Sequence, residues 1–392
     1  MNWRTPAVLR TRKPPPAAAI QTLFTIAAYR GREGLARIRD DWDRVVRRVE
    51  RPRFFHLYDW YWSYLEALEP DDTAVHFFVA YRDGEPVAVF PLKSGVRVRA
   101  GRKLRVLELP QHPHLPLVDF IGPRTQESRG VLRALLKHLE GHRGGAPPQP
   151  AWDYLSIEPC LEDSCAAAWL ESDRPPFLLL EQLRTCNYIP TGASYEQIEK
   201  AFSRNFRGDL RKARNKLRAT AAVEFRSCRG GSTLGAFFDE FLEVESSGWK
   251  GTQGTGTAIK LHPGLTRFYR NLIATFGPKG ACEINLLRAG GKCIAGQFCL
   301  RVGDICYVLK IGYDEAHSRL APGNMLMEWL LQRLAAEGEV KSLNLVTGAK
   351  WHENWQPRCH RVFSACLFRP SLRGLLLWGY KTFCLGVGQP LR

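Results

Sequence analysis

The stretch from Ile305 to Leu330 constrains the fold of this chain more than any other. Ile305 to Ile311 is an apolar, strand-like run that starts after the Gly303-Asp304 turn. A short loop follows Tyr313-Asp314, and a helix then begins abruptly at Pro322-Gly323. Proline at a first helical position is pre-organised for the helix, and glycine beside it lets a ligand approach the backbone. The residue before Pro322 is Ala321, where Ser, Thr, Asp or Asn would usually cap the orphan N–H groups. A helix start without a side-chain cap, beside Ser318 and Arg319, has two readings. It is a strand-to-helix turn whose N–H groups bind water, or it is a seat for an anionic phosphate.

The same order of elements occurs twice. In the first half, helices over Leu35–Val49 and Leu57–Leu68 precede a strand over Ala74–Arg82. Asp83-Gly84 turns the chain into Pro86–Leu92, and a third strand spans Lys103–Leu109. An irregular segment, a helix over Gln126–Leu139 and a strand over Tyr154–Glu158 follow. In the second half, helices over Leu234–Glu245 and Leu265–Phe276 precede strands over Ala281–Arg288, Cys293–Val302 and Ile305–Ile311. The helix Pro322–Glu337 and the strand Ser342–Val346 complete the match. A three-strand meander, a helix and a returning strand make an α+β unit, a mixed, mostly antiparallel sheet flanked by helices. At 392 residues the chain holds two such units in tandem. The expected divisions are a disordered basic lead-in (1–16), two domains (17–190 and 191–368) and an amphipathic basic tail (369–392). Gly141–Pro150 reads as a loop within the first domain.

The net charge of +17, from 56 basic against 39 acidic residues, gives a surface that attracts anions. Nucleic acid, an anionic membrane face and a phosphate-rich cofactor all suit that field. Eleven cysteines occur without a C-x-x-C pair, which favours reduced thiols over a disulfide frame. One adjacent pair, Cys359-His360, cannot fill a zinc shell, so no metal is expected. The apolar stretch Ala17–Tyr29 contains Gln21 and has no cleavage site before Arg30, so it reads as a first strand rather than a signal peptide. The expected location is cytoplasmic, with the inner membrane face as a peripheral site.

The residues Tyr313-Asp314 and Ala321-Pro322-Gly323 through Leu326 resemble a "YDxxxxxxSPGxxL" stretch of the GNAT acetyltransferase superfamily, with Ala321 where Ser is common. The resemblance is closest to the CelD-like branch linked to cellulose and exopolysaccharide synthesis. The basic run Arg204–Arg218 is similar to that branch's Arg/Lys-rich segment ahead of its acetyltransferase core. Gly348 to Trp355 resembles a "G…YKxxW" element, with Trp351 and His352 in place of Tyr and Lys. The match covers roughly Ser194–Phe368, and a degenerate copy before it gives a tandem layout similar to that of FemAB-type transferases.

This resemblance implies direct acyl transfer from acetyl-CoA or another acyl-CoA to an amine or hydroxyl, without a metal. Tyr307, Leu309 and Ile311 would line the pantetheine arm. Arg319, Leu320, Pro322, Gly323 and Asn324 would hold the phosphates. Glu243, Glu245 and His352 are the candidate bases, and Tyr313 is the candidate proton donor to the departing thiolate. Trp249 and Lys250, in the Gly-rich loop that follows Glu245, would cover the acceptor. Each has a plainer reading: solvated helix charges for the two glutamates, a packed surface ring for His352, a buried aromatic for Tyr313.

Ser203–Thr220 has Arg204, Arg207, Arg211, Arg214 and Arg218 three and four apart, with Phe206, Leu210, Ala213 and Leu217 on the apolar face. A stripe of one sign repels itself without an anionic partner. The tail after Arg369 mixes Leu375-Leu-Leu-Trp with Arg373 and Lys381, which suits an anionic membrane surface or docking onto the second domain. The dense aromatics Trp60, Tyr61, Trp62 and Tyr64 read as core packing. The leading function is an acyl-CoA-dependent transferase acting on a saccharide or its small-molecule precursor. The alternatives are a FemAB-like transferase using charged tRNA, and a non-catalytic partner of a membrane polysaccharide synthase. In the first domain, the segment after Leu109 lacks the Pro-Gly helix start, so no CoA is expected there.

Overall fold

The computed structural model describes residues 24–99, 101–125, 128–141, 150–220 and 222–386. The first elements are β1 (Thr25–Arg30), α1 (Gly31–Arg37), α2 (Arg39–Arg47), α3 (Tyr58–Ala67), β2 (Val75–Arg82), β3 (Glu85–Arg99) and β4 (Arg102–Glu108). Next come α4 (Val131–Glu140), β5 (Tyr154–Leu161), α5 (Cys165–Asp173), β6 (Leu178–Pro190), α6 (Tyr195–Lys200), α7 (Arg204–Arg218) and β7 (Val223–Arg229). The chain continues through α8 (Leu234–Ser246), α9 (Pro263–Phe276), β8 (Cys282–Ala289), β9 (Lys292–Val302) and β10 (Ile305–Tyr313). It ends with α10 (Pro322–Glu337), β11 (Ser342–Asn344), β12 (Arg358–Phe368) and α11 (Leu372–Gly386). The lead-in 1–16, residues 17–23 of the expected first strand, the start of the expected helix at Gln126 and most of the Gly141–Pro150 loop lie outside the described residues.

The chain forms two compact units that are not consecutive blocks. Residues 1–50, 73–183 and 362–392 make the first, and residues 51–72 and 184–361 make the second. The division is therefore not a single cut near residue 190. The exchanged segment with α3 belongs to the second unit because its aromatic side chains are buried there. Trp60 packs edge-on against Phe268 of α9 at 5.3 Å, and Phe54 against Tyr307 of β10 at 4.8 Å.

In the first unit β1, β2, β3 and β4 pair antiparallel in sequence order. β5 then joins β4 in parallel over Val106–Glu108 and Tyr154–Ser156, and the 362–368 part of β12 pairs antiparallel with β5. The helix between the parallel strands, α4, starts after Gly130 in the left-handed region. Its N-terminus is capped from a distance: the buried Asp173 carboxylate accepts from Gly130 N at 2.7 Å and Arg133 N at 3.1 Å. That carboxylate satisfies orphan N–H groups and complements the helix dipole.

The second unit repeats the plan. β7, β8, β9 and β10 pair antiparallel, and β11 joins β10 in parallel after the crossover helix α10. The 184–190 part of β6 then pairs antiparallel with β11. One apolar cluster joins α7 (Phe206, Leu210, Ala213, Leu217) to α10 (Met325, Leu326, Leu330, Leu334) and to Cys306 and Val308 of β10. A buried ionic network pins α10 to the sheet. Arg301 pairs with Glu283 at 2.6 Å and Glu337 at 2.7 Å, and Arg333 bridges the same two carboxylates. Each buried charge there has an opposite partner, which is the condition for such groups to remain ionised inside a protein.

β6, β7, β12 and α5 are additional to the elements expected from the sequence, and the expected helix Leu35–Val49 is broken at Ile38 into α1 and α2. β3 runs to Arg99 rather than stopping at Leu92. The helix Pro322–Glu337 has the expected bounds. All eleven cysteines are unbonded thiols.

Candidate functional site

β10 and β11 share only three pairs, from Ile305↔Ser342 to Tyr307↔Asn344. Beyond them β10 stays with β9, up to Tyr313↔Ala295. The chain after β11 instead follows β6, with Leu345 N donating to Asn187 O at 2.9 Å and Asn187 N to Thr347 O at 3.0 Å. The two parallel strands therefore part in a V, and residues 308–313 have no ladder partner on the β11 side. Opposite, the register with β9 shifts between Val308 and Lys310, leaving Leu309 as a bulge.

The opening leads to the start of α10. Asp314 organises the turn between them. It accepts from Ala316 N at 3.0 Å, Lys292 Nζ at 2.7 Å and His317 Nδ1 at 3.2 Å. Burial pushes its carboxyl upward, but Lys292 and the Ala316 N–H outweigh that and hold it below the usual carboxylate range. The chain then enters α10 through Ala321, at φ 49° and ψ 49° in the left-handed region, with Pro322 in the first turn and no side-chain cap. Met325 N is the first amide of the helix bonded back to Ala321 O. Proline has no N–H, so the amides of Gly323 and Asn324 carry the positive end of the helix dipole. A Cβ at Gly323 would meet only Tyr313 Cδ1, at 3.6 Å. The Tyr313 ring thus lies over the helix start.

The remaining expected donor-side residues divide. Arg319 is exposed, with its carbonyl 3.5 Å from Lys216 Nζ of α7. Asn324 is half-buried, whereas the Leu320 and Pro322 side chains are buried and offer backbone only. Tyr307 is 1% exposed and packed on Phe54, so its side chain belongs to the core and does not line the opening. Leu309 is the bulge residue, and its side chain is buried. Ile311 packs towards the α10 core, and its carbonyl accepts from Lys250 Nζ at 2.6 Å.

The expected bases are placed apart and engaged elsewhere. Glu243 is exposed and paired with Lys260 at 2.6 Å. Glu245 is buried with both oxygens occupied, by Lys250 Nζ at 3.0 Å and Ile259 N at 2.9 Å. With Lys250 it forms a strut between the end of α8 and the 247–262 loop, which is a structural task for both residues. His352 is buried on the β6 side, where Asn187 Nδ2 donates to its Nδ1 at 3.3 Å. Burial pulls its imidazole down to about 4, too weak a base to collect a proton at neutral pH. Trp249 is 52% exposed at the rim of the loop.

Lys310 was not among the expected residues. It stands at the bulge of β10, two positions before Gly312, so the two share a face. A Cβ at Gly312 would come 2.5 Å from Glu245 Cα, which places that face against α8 and the 247–262 loop. Two lysines, 250 and 310, thus share the field of one carboxylate. Burial, then the Lys250 charge, pull the Lys310 ammonium down to about 8, with Glu245 opposing. The available signal was a lone cation near the end of the apolar run Ile305–Ile311.

The basic helix α7 borders the start of α10. It packs on the 315–320 turn and on α10, and Phe206 meets Trp355 at 5.0 Å. Arg214 is committed to Glu199 at 3.1 Å and Glu328 at 3.7 Å. Arg204, Arg207 and Arg211 are exposed and have no ion-pair partner among the described residues.

Residues 204–356 match the acetyltransferase (GNAT) domain family. No curated protein matches the chain. Its fold is similar to that of FemX, at 13% identity over 83% of this chain and 95% of that one, with a TM-score of 0.53. L-PGS from Bacillus licheniformis is similar at 12% identity, over 87% and 96%, with a TM-score of 0.52. A conserved protein of unknown function from Bacteroides thetaiotaomicron is similar at 14% identity, over 85% and 97%, with a TM-score of 0.51. Residues 204–356 of the second unit are thus similar to a GNAT acetyltransferase domain, a type that takes acyl-CoA as its donor.

Proposed function

We propose that the second unit transfers an acyl group from acyl-CoA to an amine or hydroxyl, with the donor in the β10–β11 opening and its pyrophosphate on the α10 N-terminus. The observation that carries this reading is the contrast between two equivalent helix starts. In the first unit the start of α4 is filled by the Asp173 carboxylate, while the start of α10 has no side-chain cap and lies at the end of a parted strand pair. A carboxylate completes one; a phosphate group would complete the other.

In this reading the acceptor enters from the α8 face, beneath Trp249. The acceptor nitrogen or oxygen attacks the thioester carbonyl carbon, and the neutral Lys310 amine takes the acceptor's proton. The C–S bond breaks, and the Tyr313 hydroxyl gives a proton to the leaving thiolate. An amine titrating near 8 suits this work, because a useful fraction is neutral at the operating pH. The acceptor we assign is a saccharide or its precursor, on the likeness of Tyr313-Asp314 and Ala321-Pro322-Gly323 to the CelD-like stretch. The exposed cations of α7 favour a second reading, a transferase that takes its acyl group from charged tRNA. Calorimetric titration with acetyl-CoA and, separately, with aminoacyl-tRNA tests the choice. Binding of acetyl-CoA supports the first reading; binding of charged tRNA alone overturns it.

A further inference from the structure

We propose that the outward face of α11 docks the first unit onto an anionic lipid bilayer surface. The helix is turned inside out relative to an ordinary surface helix. Its inner side carries the anchoring contacts: Trp378 packs edge-on against Phe177 at 5.6 Å, Lys381 Nζ lies 3.0 Å from Cys366 Sγ, and Arg373 bonds the Lys103 carbonyl. Its outer side is apolar. Leu372, Leu376, Tyr380 and Phe383 fall on one face at helical spacing and are 79%, 63%, 54% and 70% exposed. Leu375 and the exposed Gly379 widen the stripe, so it carries no charged residue. A water-facing helix normally places its polar residues there, and an apolar stripe of this width marks a surface that something covers.

The charges around the stripe select the occupant. No acidic residue occurs between Arg369 and Arg392, and the exposed Arg373 borders the apolar face. The neighbouring β3–β4 hairpin pairs Val98 with Lys103 and Val96 with Arg105, which sets further exposed valines among cations. Asp153 pairs with Arg105 at 2.8 Å and with Arg373 at 3.6 Å, one carboxylate against two cations, so positive charge stays in excess there. Apolar side chains flanked by one sign of charge fit a layer of acyl chains beneath anionic headgroups. A second copy of this chain, brought face to face, would set these cations against themselves. No helix among the described residues is long and apolar enough to cross a membrane, so the contact is one of surface docking.

This inference is independent of the acyl-transfer reading, and its test needs no substrate. The full chain is sedimented with vesicles of phosphatidylcholine alone and with vesicles containing roughly a third phosphatidylglycerol. The expected result is binding to the anionic vesicles that weakens with added salt and falls about tenfold or more in the double variant Leu376→Glu/Phe383→Glu. Both positions are exposed, and an unchanged thermal melt confirms that the fold is kept. Absence of binding to anionic vesicles, or binding unchanged in the double variant, overturns the proposal. A concentration-dependent dimer abolished by the same double variant, without vesicle binding, assigns the face to a second copy and also overturns it.

Discussion

Substituting Gly323 with aspartate puts into α10 the kind of carboxylate that already completes α4. The side chain fits, since a Cβ there meets only Tyr313 Cδ1 at 3.6 Å. An acidic residue in the first turn stabilises a helix by about 0.3–1 kcal/mol, and replacing a helical glycine adds several tenths more. The folded state should therefore be as stable as the parent or slightly more so. For an anionic donor the effect is opposite. A carboxylate about 5 Å from one phosphate charge, at an effective dielectric of about 20, is repelled by roughly 3 kcal/mol before screening. Water and salt at this half-open site reduce that to about 1.5–3 kcal/mol, or a loss of roughly 10- to 100-fold in affinity. Calorimetry with acetyl-CoA reads the affinity, and urea unfolding reads the stability. An affinity within twofold of the parent, in a variant that folds normally, would refute the pyrophosphate assignment.

Lys310→Met should abolish most acyl transfer yet stabilise the fold. The folded lysine titrates near 8, below its usual value, so the unfolded state holds the proton more tightly; stability rises as pH climbs from about 8 towards 10.4, and below 8 the charged lysine is a constant penalty. Removing it should raise stability at pH 7 by roughly 1–3 kcal/mol, read by urea unfolding, and flatten that alkaline rise. The pH–rate profile of the parent should turn near 8 and show no inflection near 6.5, because His352 stays neutral. His352 acts on acid stability instead: with its folded imidazole held down to about 4, stability should fall by roughly 3 kcal/mol between pH 6.5 and 4, and His352→Asn should blunt the fall. Glu245→Gln leaves the Lys250 charge without its buried partner and should destabilise by about 3 kcal/mol in thermal melts, marking a structural residue rather than a base.

The meander of the second unit was legible because its turns are written in glycine. Gly290 and Gly303 have φ near 60°, where a non-glycine residue is strained, and they separate runs long enough to be strands. β6 and β12 were not legible, since each is half apolar and half polar: Leu178-Leu-Leu gives way to Glu181-Gln182, and Arg358-Cys-His-Arg361 precedes Val362. Such strands belong to two surroundings, and no single periodicity describes them. The helix α3 was plain from its pattern, but which core receives Trp60 is a tertiary fact. The same division holds at the site. Pro322-Gly323 announces the uncapped helix start locally. The engagement of Glu245, the burial of His352 and the lowered affinity of Lys310 for a proton all depend on residues distant in sequence.

The central claim is that α10 and the parted stretch of β10 form the donor site. Amide hydrogen exchange of the full chain, with and without acetyl-CoA, tests it most directly. The account predicts slowed exchange in peptides covering residues 308–325, with no change at the Asp173-capped start of α4. Protection at α4, or saturating acetyl-CoA with no protection between residues 308 and 325, would contradict it.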